Sequence, residues 1–343
     1  MKSHRYGLAF IVAASIALLF AAHASPVKVI LDSDMIGDFD DMGALACLHA
    51  LADRGECEIL ATLSCTRGNG SVAAIEICNA YYGRRDIPVG CTKLAGAVGG
   101  RSDKAHAKYL QLQKDYPGAF RYADSDAAPD AVEVYRRVLA AQPERSVVIC
   151  SIGFLSNLRA LLESKGDAHS NLSGRELVAK KVKKWVAMAC RYPDGHEYNS
   201  DGDAVSSRIA FRDWPTPIVF SDFQYGRHLY SGRALVESDI RKNPVKDVYA
   251  AGLLARSRVT CKTWDQLSGH PSWDQSAVLA AVRGEDSYFN LERGHYEMLD
   301  DKGTCAWRGD KASPNCRLVV KTPYGEVGAI IDALMLQSPL KSK

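Results

Sequence analysis

The sequence predicts an α/β fold: a single large domain with a mostly parallel central sheet, helices on both faces, and a small C-terminal β-hairpin. Three observations lead there. Short apolar runs alternate with helix-period segments along most of the 343 residues, which is the rhythm of βαβ units. The runs at residues 27–31 and 146–152 carry apolar residues at successive positions, Val29 to Leu31 and Val147 to Cys150, rather than at alternate ones, as in strands buried on both faces. No Pro/Gly/Ser-rich spacer, low-complexity block or repeat divides the chain, so one domain is expected although the length permits two.

Residues 1–24 carry Lys2 and Arg5, an apolar run, and Ala22-His23-Ala24 as a small-residue cleavage signal. They read as a secretory signal peptide, giving a secreted or periplasmic product of residues 25–343 with no stable membrane association. Losing Lys2 and Arg5 lowers the formal charge of +3 to about +1, which gives no ground for nucleic acid or an anionic membrane surface as partner.

The first strand is expected at residues 27–31, and Met42, Leu45, Leu48 and Ala52 recur at helical spacing after it. Strands follow at 58–63 and 87–90 with a helix at 75–82 between them, then a helix at 132–141 leading into the strand at 146–152. Further strands are expected at 185–189 and 218–220 with a helix at 203–211 between them. Residues 295–321 form a hairpin-like pattern around Cys305, Trp307, Asn315 and Cys316, before a helix at 327–336. The polar, weakly periodic segment 96–130 is either a flap over a site or a surface excursion. All ten cysteines lie beyond residue 24. Cys47 and Cys78 fall on helices as buried thiols, while Cys305 and Cys316 flank a loop as the expected disulfide. No Cys/His spacing is of the zinc type, and the histidines are mostly scattered singly.

Between the first strand and the first helix stand Asp32, Asp34, Asp38, Asp40 and Asp41. Helix capping needs one carboxylate, which Asp38 or Asp40 can supply. Five so close repel one another unless a hard cation or protonation compensates them. The carboxyl ends of strands in an open α/β sheet are also where ligands bind.

The order Asp32-x-Asp34, Asp40-Asp41 and an Ala-Leu helix resembles the amino-terminal motif of the inosine-uridine-preferring nucleoside hydrolase family. Further matches follow in the family's order: Gly68-Asn69, then Ser151-Ile152-Gly153-Phe154-Leu155-Ser156-Asn157-Leu158, then Glu197-Tyr198-Asn199, then Asp274-Gln275-Ser276-Ala277-Val278. The chain departs from the family pattern by two extra residues between Asp34 and Asp40, and by Trp273 where many members carry a catalytic His. The resemblance implies a Rossmann-like core and Ca²⁺-dependent hydrolysis of the N-glycosidic bond of ribonucleosides, purine nucleosides favoured, giving ribose and free base. It implies Asp34, Asp41, the main-chain oxygen of Ile152 and Asp274 as metal ligands. Asp34 would be the base, and Asp40, Asn69, Glu197 and Asn199 the contacts to the nucleoside or N-riboside. Trp273 would act by stacking on the base, with His270 three residues away as a compensating group. A homodimer or homotetramer is expected on the same ground.

Read alone, Glu197 and Asn199 make a polar turn, Asp274 an N-cap, Trp273 a packing indole, and Asn157 a turn or cap residue. Two other functions compete. Asp32-Ser33-Asp34 after an apolar strand also fits a haloacid-dehalogenase-like, Mg²⁺-dependent phosphatase, although the Asp-Asp pair opening the first helix does not. A non-catalytic secreted protein that binds ribose or glycan through Ca²⁺ is the other.

Overall fold

The computed structural model describes residues 25–35, 38–68, 70–94, 103–260 and 263–340. The expected signal peptide and Asn69 lie outside the described residues. Twelve strands are formed among the described residues: β1 (Val27–Ser33), β2 (Cys57–Ser64), β3 (Val89–Cys91), β4 (Val147–Ile152), β5 (Val182–Ala187), β6 (Asp194–Gly195), β7 (Ile218–Phe220), β8 (Tyr230–Ser231), β9 (His270–Pro271), β10 (Phe289–Met298), β11 (Cys305–Gly309) and β12 (Cys316–Val320). Ten build one sheet in the order β3-β2-β1-β4-β5-β7-β12-β10-β11-β6, and β8 and β9 pair separately. Pairing is parallel from β3 through to β12 and antiparallel around β10 and β11.

The apolar runs account for this layering. Val29 and Leu31 of β1 face one core with the helices Asp40–Asp53, Ser71–Tyr81, Trp273–Arg283 and Tyr324–Met335, while Ile30 faces a second core on the opposite side. The second core is closed by Ala131–Ala140, Ser156–Glu163, Gly174–Lys181 and Ala204–Asp213, with the fully buried Trp185 donating from Nε1 to Ser151 Oγ at 2.7 Å. Covering both faces is why β1 and β4 carry apolar residues at consecutive positions, Val29 to Leu31 and Val147 to Cys150. Each large side chain so buried stabilises the fold by about 1.5–3 kcal/mol.

Two expectations are corrected. The C-terminal strands are more than an appended hairpin: β10 and β11 do pair as an antiparallel hairpin, but β12 lies on the other side of β10 and joins β7 in the sheet interior. For the same reason Cys305 and Cys316 do not pair. β10 lies between them, both thiols are free, and the Cys305 thiol instead hydrogen-bonds with that of Cys190.

Candidate active site

The sheet order brings four carboxyl strand ends side by side, those of β1, β4, β5 and β7. Immediately after or at these ends come Asp34, Ile152, Met188 and Phe223, and all four line one pocket of about 730 Å³ counting its open mouth. Asp38, Asp40, Asp41, Glu197, Tyr198, Asn199, Trp273 and Asp274 complete most of its wall. Residues that are up to 240 positions apart in sequence meet because parallel strands deliver their C-terminal loops to one edge.

The acidic end is built from two helix starts. Asp40 and Asp41 open the helix Asp40–Asp53, and Asp274 lies in the first turn of Trp273–Arg283, which packs against it. The backbone N–H of Asp274 donates to Asp40 Oδ2 at 3.3 Å, and oxygens of Asp40, Asp41 and Asp274 lie within 4.8 Å of one another. Asp34 joins through a hydrogen bond with Asp41, whose Oδ1 also accepts the N–H of Met35 at 3.1 Å. Met35 holds φ at +46°, a conformation a side chain of this kind adopts only where its surroundings impose it. Gly153 permits the approach of β1 and β4 here, since a Cβ on it would lie 2.4 Å from the Asp34 nitrogen.

Helix starts favour carboxylates, yet burial dominates. Burial first, and Asp41's charge second, push the Asp34 carboxyl well above its ordinary range. Burial and Asp40 push Asp41 up to about 8, and burial with its acidic neighbours raises Asp274 as well. Such a group of oxygens suits a hard cation: a dication would offset both the cost of burying these charges and their mutual repulsion.

The insertion between Asp34 and Asp40 leaves Asp40 and Asp41 at the helix start. Its Phe39 is buried between Tyr249 (ring centroids 4.9 Å apart) and His270 (4.0 Å). Tyr109 donates from its hydroxyl to the Asp38 carbonyl at 3.0 Å. Tyr109 belongs to the helix Asp103–Asp115, so within the polar segment it is this helix that reaches the acidic turn. The same helix brings Lys108, whose ammonium burial holds down to about 8 although four aspartates of the turn pull it upward.

The polar side of the pocket is formed by Glu197 and Asn199. Glu197 caps the short helix Tyr198–Gly202: its Oε1 accepts from the Asn199 N–H at 2.9 Å, and its Oε2 from Cys190 N, Ser200 N and Ser200 Oγ. Burial pushes its carboxyl up to about 7 against these four donors. Asn199 Nδ2 donates to the Met188 carbonyl at 3.0 Å.

An aromatic wall faces them. Trp273 stacks on Phe223 at 5.4 Å and 23° and donates from Nε1 to the Phe223 carbonyl at 3.0 Å. His270 is not on the pocket wall. It is 2% exposed and sits behind Asp40, with Nε2 3.7 Å from Asp40 Oδ1 and neither ring nitrogen hydrogen-bonded. Asp32 turns away from the other acids, accepting from Tyr135 Oη at 2.9 Å and Asn157 Nδ2 at 3.0 Å. Asn157 is thereby the structural residue its position suggested.

Sequence reasoning missed Met188, Arg191, His196, Phe223 and Lys108 as site residues. The first four follow the carboxyl ends of β5 and β7, and that placement was the available signal.

The inosine-uridine preferring nucleoside hydrolase model matches residues 29–326. No curated protein matches the chain. Among solved structures, a plant nucleoside hydrolase (the PpNRh1 enzyme) is 20% identical, with TM-score 0.67 over 90% of this chain and 99% of that one. The purine-preferring ribonucleoside hydrolase from Gardnerella vaginalis is 16% identical, with TM-score 0.64 over 90% and 99%. The type III effector protein XopQ, solved with adenosine diphosphate ribose, is 16% identical, with TM-score 0.66 over 92% and 95%. These likenesses agree on the fold. The match over residues 29–326 takes in every motif whose side chains converge on the pocket, and on that evidence the chain belongs to the inosine-uridine preferring nucleoside hydrolase family and is a ribonucleoside N-glycosyl hydrolase.

Proposed function

We propose that this protein hydrolyses purine ribonucleosides to ribose and free base with a Ca²⁺ ion as cofactor. One observation carries the reading: the buried carboxylates of the first strand-to-helix turn and of Asp274 share a single pocket with a stacked aromatic wall. The proposed ligands are Asp34, Asp41, Asp274 and the Ile152 carbonyl. When bound, the cation supplies Lewis acidity to the water nucleophile and the sugar hydroxyls. With the cation bound in place of its own proton, Asp34 would be free to accept the proton of the attacking water. Asp40 holds Asp274 in place through its N–H and faces the sugar. Glu197 Oε1 accepts one backbone donor and so retains capacity for a ribose hydroxyl, with Asn199 beside it. Asn69 is a further proposed contact by resemblance. Trp273 and Phe223 offer flat faces to a purine, and stacking assists its departure while solvent protonates it. His270 acts on Asp40 rather than on the leaving base.

The test is release of reducing sugar from a panel of nucleosides by Ca²⁺-loaded protein. Purine nucleosides are expected to be cleaved faster than pyrimidine ones, and cleavage is expected to stop after chelation. Phosphate release from sugar phosphates in place of ribose release would contradict the reading.

A further inference from the structure

The pocket holds six carboxylates, those of Asp34, Asp38, Asp40, Asp41, Glu197 and Asp274, and beside them Arg191. An arginine placed to neutralise such acids pairs with one, as Arg317 pairs with Asp222 and Glu292 elsewhere in the protein. Arg191 does not: among the described residues its guanidinium forms no ion pair, and its Nε is buried without a hydrogen-bond partner. Instead the guanidinium carbon lies 4.2 Å from the centroid of the Phe223 ring, the ring that also stacks with Trp273. Stacking satisfies the face of a guanidinium and leaves its N–H fork for another group.

Its position is held from several sides. The Arg191 N–H donates to Cys305 Sγ at 3.2 Å, and the Phe223 N–H donates to the Cys190 carbonyl at 2.9 Å. Gly195 makes room for the side chain, since a Cβ there would stand 3.2 Å from Arg191 Cδ. The neighbouring His196 is already engaged, Nδ1 with Asp201 at 3.0 Å and Nε2 with Thr304 at 3.2 Å. With Nε buried, the terminal N–H groups of this unpaired, pocket-lining arginine are the ones left to receive a carboxylate or phosphate, which two parallel hydrogen bonds can hold.

We infer that the preferred substrate is an anionic ribosyl compound, whose phosphate or carboxylate is received by Arg191. This rests on the ribosyl-hydrolase reading and narrows its substrate class. A 5′-phosphate on the ribose and a carboxylate on the base present the same chemistry to the fork, and binding measurements separate them.

The experiment is titration calorimetry in Ca²⁺ buffer with two matched pairs, ribose 5-phosphate against ribose and orotate against uracil, on wild type, Arg191→Ala and Arg191→Lys. Wild type is expected to bind the anionic member of one pair about 10- to 100-fold more tightly than its neutral partner. The pair that responds identifies the source of the anion. Arg191→Ala should abolish the difference, and Arg191→Lys, which keeps the charge and loses the fork, should retain part of it. Should Arg191→Ala fail to fold, the wild-type pairs and Arg191→Lys decide. Equal binding within both pairs by wild type, or a preference undiminished in the variants, would overturn the inference. Hydrolysis of neutral nucleosides with no anion preference would do so while leaving the hydrolase reading standing. An anion preference without any N-glycoside cleavage would uphold Arg191's role and remove that reading.

Discussion

Asp34 is the first residue after β1, at the start of the acidic turn, bonded to Asp41 and tied by its carbonyl to Thr66 Oγ1 at 2.6 Å. Two predictions belong to single side chains. Asp34→Asn keeps the shape and the neutral state that the buried acid already favours, so the fold should survive while turnover falls by roughly 100- to 10,000-fold. Steady-state rates alongside a thermal melt check this, and near-wild-type activity in a folded mutant would remove Asp34 from its role. Trp273→Ala takes away both the stack on Phe223 and the bond to its carbonyl. It should slow purine nucleosides more than substrates with activated leaving groups that need no protonation, because an indole helps only through stacking, a contribution of about 0.5–1.5 kcal/mol. Equal losses on the two substrate types would mean that Trp273 is a packing residue.

At the scale of elements, the site depends on how closely β1 and β4 approach at their carboxyl ends. Gly153→Ala sets a methyl against backbone and Cβ atoms of Asp34 that no rotamer change can move. It should destabilise the protein by about 1–3 kcal/mol and weaken Ca²⁺ binding together, since the displaced atoms carry a proposed ligand. A melt and a Ca²⁺ titration of the variant measure both, and an unchanged pair of values would show that the contact relaxes freely. The elements that could be read from the sequence are those whose own residues decide them: β1 and β4 through consecutive apolar residues, and the helix Asp40–Asp53 through its period and acidic start. β10 was legible only in part. The hairpin-like pattern begins only at residue 295 and leaves out the strand's first half, and the strand's place is decided by partners distant in sequence, with Glu292 taking Arg317 and the Trp307 indole N–H. The same division runs through the site. The acidic residues of the pocket stand in short motifs, whereas Arg191, Phe223 and Lys108 acquire their meaning only when loops from β5 and β7 and the helix Asp103–Asp115 reach the pocket edge.

For the molecule as a whole, the buried acids link stability, pH and metal. Asp41 is pushed up to about 8, Asp32 and Glu197 to about 7, and Asp34 and Asp274 are raised too, all chiefly by burial. Unfolded, these groups ionise near pH 4. Between about pH 4 and pH 8 the folded metal-free protein therefore binds more protons than the unfolded chain, and its stability falls as pH rises through that window. A cation binds the deprotonated acids, so the Ca²⁺-induced rise in melting temperature should be larger at pH 8 than at pH 5, and an equal or reversed difference would argue against a carboxylate site. The most direct test of the central claim, that carboxylates from opposite ends of the chain hold one Ca²⁺, is the thermal melt of chelator-treated protein at pH 8 with and without Ca²⁺, for wild type and Asp274→Ala. At a hundredfold excess over Kd the ion should add about 2.7 kcal/mol to the wild type. That is a shift of several degrees at roughly 2–4 °C per kcal/mol. Asp274→Ala should lose most of the shift and the nucleoside cleavage with it. A wild-type melt indifferent to Ca²⁺, or cleavage that survives thorough chelation, would contradict the account.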